Sequence, residues 1–172
     1  YSRGFDNMGF GEFEYNKVEL GFQYDRFTPG WGKSIITLEG GFIDKPLPYS
    51  MNFSGKPSYK PDFSILVTNT FNTMRFNEFS STQYATLLFM HDFKSLLFKS
   101  GYFKPEIRIF QGIMFGTQRF PDLHQSGAMP LKTLEDGFFE TGLVFDNVIR
   151  INMINIGYFG AGIGAFYRYG PN

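Results

Sequence analysis

The 172-residue sequence contains no cysteine and only two histidines. Without cysteine the chain has no disulfide framework, no thiolate nucleophile and no cysteine-based metal site, and two histidines leave few ligands for a transition metal. Acidic and basic residues balance to a formal net charge of zero, so no basic surface indicates nucleic-acid binding. The sequence therefore predicts no metal, no cofactor and no nucleic-acid partner.

Long apolar runs are also absent. No stretch reaches the ~18 consecutive apolar residues of a membrane-spanning helix, so this chain could cross a membrane only with strands. Alanine is scarce, whereas aromatic residues make up 20 % of the chain, with 23 Phe and 10 Tyr beside 20 Gly. Aromatic residues favour strands. The sequence begins at Tyr1, and we expect it to be an internal piece of a longer chain or part of a mature one.

Residues 17–27 show the pattern that dominates the chain. Val18, Leu20, Phe22 and Tyr24 alternate with Glu19, Gly21, Gln23 and Asp25. Similar period-two patterns predict strands at 34–43, 63–71, 105–117, 138–147 and 158–170, with less regular ones at 80–93 and 149–156. This predicts an all-β antiparallel fold of roughly eight strands, many near the ~10 residues of a tilted membrane strand.

Turns and loops separate these segments. The glycine- and proline-containing residues 28–33 predict a tight turn, and 94–104 a shorter connection. The proline-rich segment 44–62 and the segment 117–137 predict two long loops, which are candidate docking surfaces for partners.

The residues on the polar face distinguish a soluble sheet from a transmembrane barrel. An apolar face at period two fits either a buried soluble core or a surface that meets lipid. Here the opposite face carries carboxylates and arginines spread among glycines, and tyrosine and phenylalanine lie near strand ends. These features favour a transmembrane β-barrel with a polar lumen and an aromatic girdle. We predict an ion-pair network in that lumen from Glu106, Arg108, Glu140, Arg150 and Arg168. A soluble ligand-binding β-barrel is the alternative.

Four segments resemble an outer-membrane family of unknown function from the Bacteroidota. The segment 71–98 is similar to a family phrase through Phe71, Met74, Glu78, Phe79, Ser81, Tyr84, Leu88, His91 and Phe93. The segment 138–158 resembles a family strand through Glu140, Gly142 and Asn147, with Val144 where a second glycine is common. Residues 160–171 and 47–59 are similar to the segment before the family's final strand and to its proline-rich loop.

The resemblance implies a location and a domain arrangement. Family members usually carry an N-terminal carboxypeptidase-regulatory-like domain ahead of a C-terminal barrel. Residues 1–172 would then be the C-terminal portion of an outer-membrane β-barrel, with at least one closing strand after Asn172. The expected partners are outer-membrane lipid and other outer-membrane or periplasmic proteins.

Function is predicted only by class. We expect a non-enzymatic component of an outer-membrane assembly, secretion or uptake complex, with a pore for a small solute or polypeptide as the alternative. His91 suggests a membrane hydrolase, with Ser80, Ser81 and Ser95 nearby in sequence, but no Gly-x-Ser-x-Gly elbow accompanies it. His124 with Asp122 fits a solvated loop better than a metal site. The glycines at 160, 162 and 164 fit a stripe on an inward strand face.

Overall fold

The computed structural model describes residues 1–4, 14–58, 69–96, 105–121, 132–153 and 157–171, with side chains except at 150–159. Its strands are β1 (Ser2–Gly4), β2 (Tyr15–Thr28), β3 (Gly32–Ile43), β4 (Gln83–Asp92), β5 (Glu106–Thr117), β6 (Leu134–Met153) and β7 (Gly157–Tyr169). A 3-10 turn at Tyr49–Met51 follows β3. Within these residues no helix has the length and apolar character to cross a membrane.

The strands form one antiparallel sheet. They lie side by side in chain order from β1 to β7, and each pairs with its neighbour. This confirms the predicted all-β antiparallel class. The sheet is not closed into a barrel, because β1 and β7 are its two edges and the described residues do not pair them. The prediction that it belongs to a larger barrel stays a prediction.

Strand boundaries follow the alternation closely, with three differences. The described residues contain seven strands instead of the predicted eight, and β1 was not predicted. The segments 138–147 and 149–156 were predicted as separate strands, but 134–153 is one strand whose register against β7 shifts between Phe145 and Ile149. Asn147 has a left-handed backbone (φ 54°) within this irregularity, so the chain bulges there instead of turning. The predicted strand at 63–71 lies mostly outside the described residues.

One face of the sheet, called the outer face, is apolar, and the described residues leave it uncovered. The register places Phe22 beside Leu38 and Leu38 beside Leu87 on this face, as period two requires. The large side chains that remain exposed on it are Leu20, Phe22, Tyr24, Leu38, Phe42, Ile109, Phe115, Leu143, Ile163, Tyr167 and Tyr169. Leu20 is 75 % and Ile163 is 71 % exposed. The outer face therefore presents apolar surface across six strands.

The opposite, inner face is covered by the chain itself on β3 to β6, whereas the inner-face residues of β2 from Glu19 to Asp25 are exposed. Residues 44–58 and 69–82, called the inner layer, fold back under the sheet and meet each other through bridges at Phe53–Ser81 and Pro57–Phe71. Residues 44–58 of the predicted loop 44–62 pack against the sheet through the buried Leu47, Asn52 and Phe53. Docking of a partner on this loop stays a prediction. Residues 122–131 of the predicted loop 117–137 lie outside the described residues, and β6 already begins at Leu134.

Apolar side chains join the inner layer to the sheet. Three inner-layer residues and four from β4, β5 and β6 form one buried cluster: Phe71, Met74, Phe79, Leu88, Met114, Leu134 and Phe138. Phe71 was predicted on the apolar face of a strand, but it is completely buried here, edge-on to Phe138 at 5.1 Å between ring centres. Gly112 makes room for it, because a Cβ at that position would lie 2.6 Å from the Phe71 ring. Burying each large apolar side chain contributes about 1.5–3 kcal/mol.

Candidate functional site

The inner face and its covering layer form the candidate site, and Glu140 lies at its centre. Glu140 is on the inner face of β6, in register with Gly112 and with Arg168, and only 3 % exposed. Its Oε1 accepts a hydrogen bond from the Asn72 backbone N–H (2.9 Å). Its Oε2 accepts from the Thr73 backbone N–H and the Thr73 hydroxyl (both 2.6 Å). One carboxylate therefore joins the inner layer to the sheet through three charge-assisted hydrogen bonds.

A second tie joins the inner layer to β7. Arg168 Nη1 lies 2.7 Å from Glu78 Oε1, with its guanidinium 4.6 Å from the centre of the Phe138 ring. The Arg75 backbone N–H donates to Glu78 Oε2 (3.0 Å), and Lys132 Nζ lies 3.5 Å from Oε1. Burial acts to raise the pKa of Glu78, but the hydrogen bonds and charges of these partners prevail and lower it from its ordinary value. Glu78 is thus held as a carboxylate.

A third group of charges lies at the other end of the same face. Arg108 Nη2 lies 2.6 Å from Asp146 Oδ2, and its Nε lies 3.5 Å from Asp92 Oδ2. Lys94 Nζ lies 2.7 Å from the same Asp92 oxygen and 4.0 Å from Glu106 Oε2. Asp92 is buried. Its two cationic neighbours, Lys94 and Arg108, take the place of the water that would otherwise solvate its carboxylate.

The five residues predicted as one ion-pair network are thus divided between separate contacts. Glu106 and Arg108 belong to the Asp92 group, whereas Glu140 and Arg168 bind the inner layer. The Arg150 side chain lies outside the described residues. The prediction did not include the acids that pair with the two arginines, which are Glu78, Asp92 and Asp146. Asp92 and Asp146 could have been found, because strand parity places them on the inner face.

The space left between the inner layer and β2–β4 is small and mixed in charge. One cavity there measures ≈ 180 Å³, about six times the ~30 Å³ share of a liquid water molecule. It is lined by Lys17, Glu19, Glu39, Asn52, Phe53, Ser54, Gly55, Lys56, Phe71, Tyr84 and Thr86. Lys56 pairs with Glu39 across it. Both signs are present, so this part of the inner face has no ring of one charge that would select an ion.

His91 lies on the outer face, near the end of β4. Its Nδ1 is 2.8 Å from Ser34 Oγ and its Nε2 is 2.9 Å from the Trp31 carbonyl oxygen. The sequence suggested Ser80, Ser81 and Ser95 as partners, but the sheet brings Ser34 from 57 residues away, directly opposite His91 in register. Trp31 belongs to the tight turn predicted at 28–33, where its N–H donates to the Thr28 carbonyl (3.0 Å).

Metal ligands do not cluster in the part of the chain that the structure describes. No group of three or more histidine, aspartate and glutamate side chains is placed there to hold an ion. His124 and Asp122 lie outside that part. The structure thus draws attention to two places, the filled inner face and the His91 pair.

Comparison with protein-family models, with curated proteins and with solved structures finds no match for this chain. The resemblance to the Bacteroidota family therefore stays a prediction. Any function must be argued from the two faces of the sheet and from the groups that they carry.

Proposed function

We propose that this chain forms part of the wall of an outer-membrane β-barrel and is a component of an outer-membrane assembly, secretion or uptake complex, in which its role is non-enzymatic. The observation that carries the proposal is the arrangement of the two faces. On β3 to β6 the charged face is covered by the chain's own inner layer, whereas the described residues leave the aromatic and aliphatic face open from β2 to β7. In a soluble two-faced sheet, by contrast, the apolar face is buried in the core and the polar face is exposed to water.

The extent of the apolar face supports lipid as its neighbour. Monomeric soluble proteins rarely expose contiguous apolar patches beyond a few hundred Å². Contact with acyl chains removes this surface from water without any further protein layer. The soluble ligand-binding alternative would require another layer over the outer face, and the described residues supply none.

Strand length and pairing also fit a membrane wall. β2, β3, β5 and β7 have 14, 12, 12 and 13 residues, which exceeds the ~9–11 that a tilted strand needs to cross the hydrocarbon. In lipid the open edges at β1 and β7 would need partners, because unpaired backbone groups cost several kcal/mol each. Under this proposal further strands pair with those edges and close the barrel.

The filled interior favours a structural role over a conducting one. The inner layer fills the inner face of the central strands with a buried apolar cluster and with the hydrogen bonds to Glu140. A solute path along this wall would require those groups to separate. The pore alternative therefore has less support than a wall or scaffold component.

The direct test uses the absence of native cysteine to place single spin labels. Leu20→Cys and Phe22→Cys report on the outer face, and Gln23→Cys is the matched control on the inner face of the same strand. In reconstituted full-length protein, oxygen should broaden the Leu20 and Phe22 signals most, whereas a polar nickel reagent should act most at Gln23. Equal access of the nickel reagent to all three sites would contradict a lipid-facing outer surface.

The assembly role needs a separate test. Gentle detergent extraction of the native full-length protein, followed by sizing and mass spectrometry, should recover a stoichiometric companion. Recovery of the protein alone would oppose the complex, and recovery in the soluble fraction would refute the membrane placement itself.

A further inference from the structure

The His91 pair carries an inference beyond the proposed function. The Trp31 carbonyl can only accept a hydrogen bond, so the 2.9 Å contact requires a proton on His91 Nε2. In the neutral ring Nδ1 is then the acceptor, and the Ser34 hydroxyl, 2.8 Å away, donates to it. The serine thus faces a base whose ring is oriented by a third group, which is the general arrangement of an activated nucleophile.

We propose that Ser34 is a nucleophile, with His91 as its general base, that cleaves the carboxylic esters of membrane lipids. The pair is held by the sheet, because Ser34 and His91 are direct cross-strand neighbours on β3 and β4. The Phe93 ring packs against the imidazole at 4.3 Å between ring centres, and His91 is 8 % exposed. Ser34 is only partly buried and belongs to the outer face, so a substrate can approach it from that side.

The position of the pair along β3 selects the substrate class. Ser34 is two residues past Gly32, where β3 begins after the turn, which places it ~7 Å from the turn at ~3.3 Å per residue. If the turn lies at the water boundary, this depth falls in the headgroup and interfacial region, about 5–8 Å thick on each side of the hydrocarbon. Lipid ester groups lie at that boundary. The choice of lipid esters as the substrate rests on the proposed membrane placement, whereas the assignment of Ser34 as the nucleophile rests only on its contact with His91.

The reaction balances with water as the only co-reactant. The Ser34 hydroxyl proton passes to His91 Nδ1 while Oγ bonds to the ester carbonyl carbon, and the imidazolium is stabilised through its Nε2–H bond to the Trp31 carbonyl. The proton then moves to the leaving alkoxide oxygen as the carbon–oxygen bond breaks, which releases the alcohol and leaves an acyl group on Ser34. Water then attacks the acyl carbon while His91 Nδ1 takes its proton. That proton returns to Ser34 Oγ as the bond between Oγ and the acyl carbon breaks, which releases the free fatty acid and restores both residues.

The test is covalent labelling of the detergent-solubilised full-length protein with a fluorophosphonate probe, with the label located by peptide mass spectrometry. Ser34 should be labelled, and His91→Gln should slow labelling by about 10²-fold or more, the usual contribution of a general base. The half-buried Ser54 of the inner layer gives the matched control, because Ser54→Ala should leave the rate unchanged. Absence of label on Ser34, or equal rates with and without His91, would overturn the proposal.

A second measurement tests the substrate and does not depend on any variant. Wild-type protein added to phosphatidylcholine vesicles should release fatty acid, and prior fluorophosphonate treatment should abolish the release. A labelled Ser34 without fatty-acid release would reject lipid esters as the substrate. Recovery of the protein in the soluble fraction would refute the proposed membrane function and remove the argument for a lipid substrate, but the labelling result would still decide the nucleophile. The prediction that the chain is no enzyme is tested by the same experiments.

Discussion

Removing the Glu140 carboxylate tests whether the inner layer is held to the wall as the structure indicates. Glu140→Ala leaves the buried Asn72 N–H and the Thr73 N–H without their acceptor. An orphaned buried donor costs about 1–3 kcal/mol, so two of them should lower the free energy of unfolding by about 2–6 kcal/mol. Glu140→Gln keeps one acceptor oxygen but presents an amide N–H₂ to the remaining donors, and should lose about 1.5–3 kcal/mol.

The assay is urea unfolding of the protein refolded in lipid vesicles, followed by circular dichroism. Glu106→Gln is the matched control, because Glu106 lies on the same face at 4.0 Å from Lys94 and such a partly exposed pair contributes about 0–1 kcal/mol. The slope of the transition should stay unchanged while its midpoint falls. A Glu140→Ala protein no less stable than the control would refute the inner layer's attachment through this carboxylate.

Three further outcomes are expected of the inner layer. Gly112→Ala should destabilise by about 1–3 kcal/mol because the new methyl meets Phe71, whereas Gly21→Ala, with 3.7 Å to the nearest side-chain carbon, should not; urea midpoints of the two variants compare them. Phe71→Ala should lose about 3–5 kcal/mol in the same assay, and a loss below 1 kcal/mol would place Phe71 outside the core. Glu78 has a lowered pKa in the folded protein, so its contribution is present above the ordinary carboxyl pKa of 4.5 and is lost as pH falls below it. Stability measured from pH 6 to pH 3 should therefore decline less in Glu78→Gln than in wild type, and parallel curves would contradict the pairing with Arg168.

The outer face was predictable because its cause is local. Strand geometry places alternate side chains on one side, so the sequence alone assigned Leu20 and Phe22 to one apolar face of a strand whose ends shift by only a few residues. The division of residues 138–156 into two strands failed for a local reason too. Asp and Asn at 146 and 147 signal a turn, but here Asn147 produces a bulge within β6.

The inner layer could not be read from periodicity. Period two identifies which residues face inward but says nothing about what covers them, and the cover comes from segments with no strand pattern. Glu140 was expected to face inward and to pair with arginine, yet its carboxylate oxygens accept hydrogen bonds from the backbone N–H groups of Asn72 and Thr73. Nearly every residue has a backbone N–H, so the sequence does not indicate which of them will bind Glu140. Ser34 was missed for a related reason, since its pairing with His91 depends on the register of β3 against β4 and not on distance along the chain.

The two faces together explain why charged residues can occur on a wall that meets lipid. A carboxylate or guanidinium that loses water must find partners in the protein, or its burial costs several kcal/mol. On the inner face Arg108 has Asp146 and Asp92, and Glu78 has Arg168 and Lys132. A conduit would leave such groups facing water along a continuous path, whereas here each has a partner: Arg108 joins β4, β5 and β6 of the wall, and Glu78 joins the inner layer to β7. The contact between Glu78 and Arg168 therefore also holds the inner layer in place, so opening a path beside it would require breaking that contact.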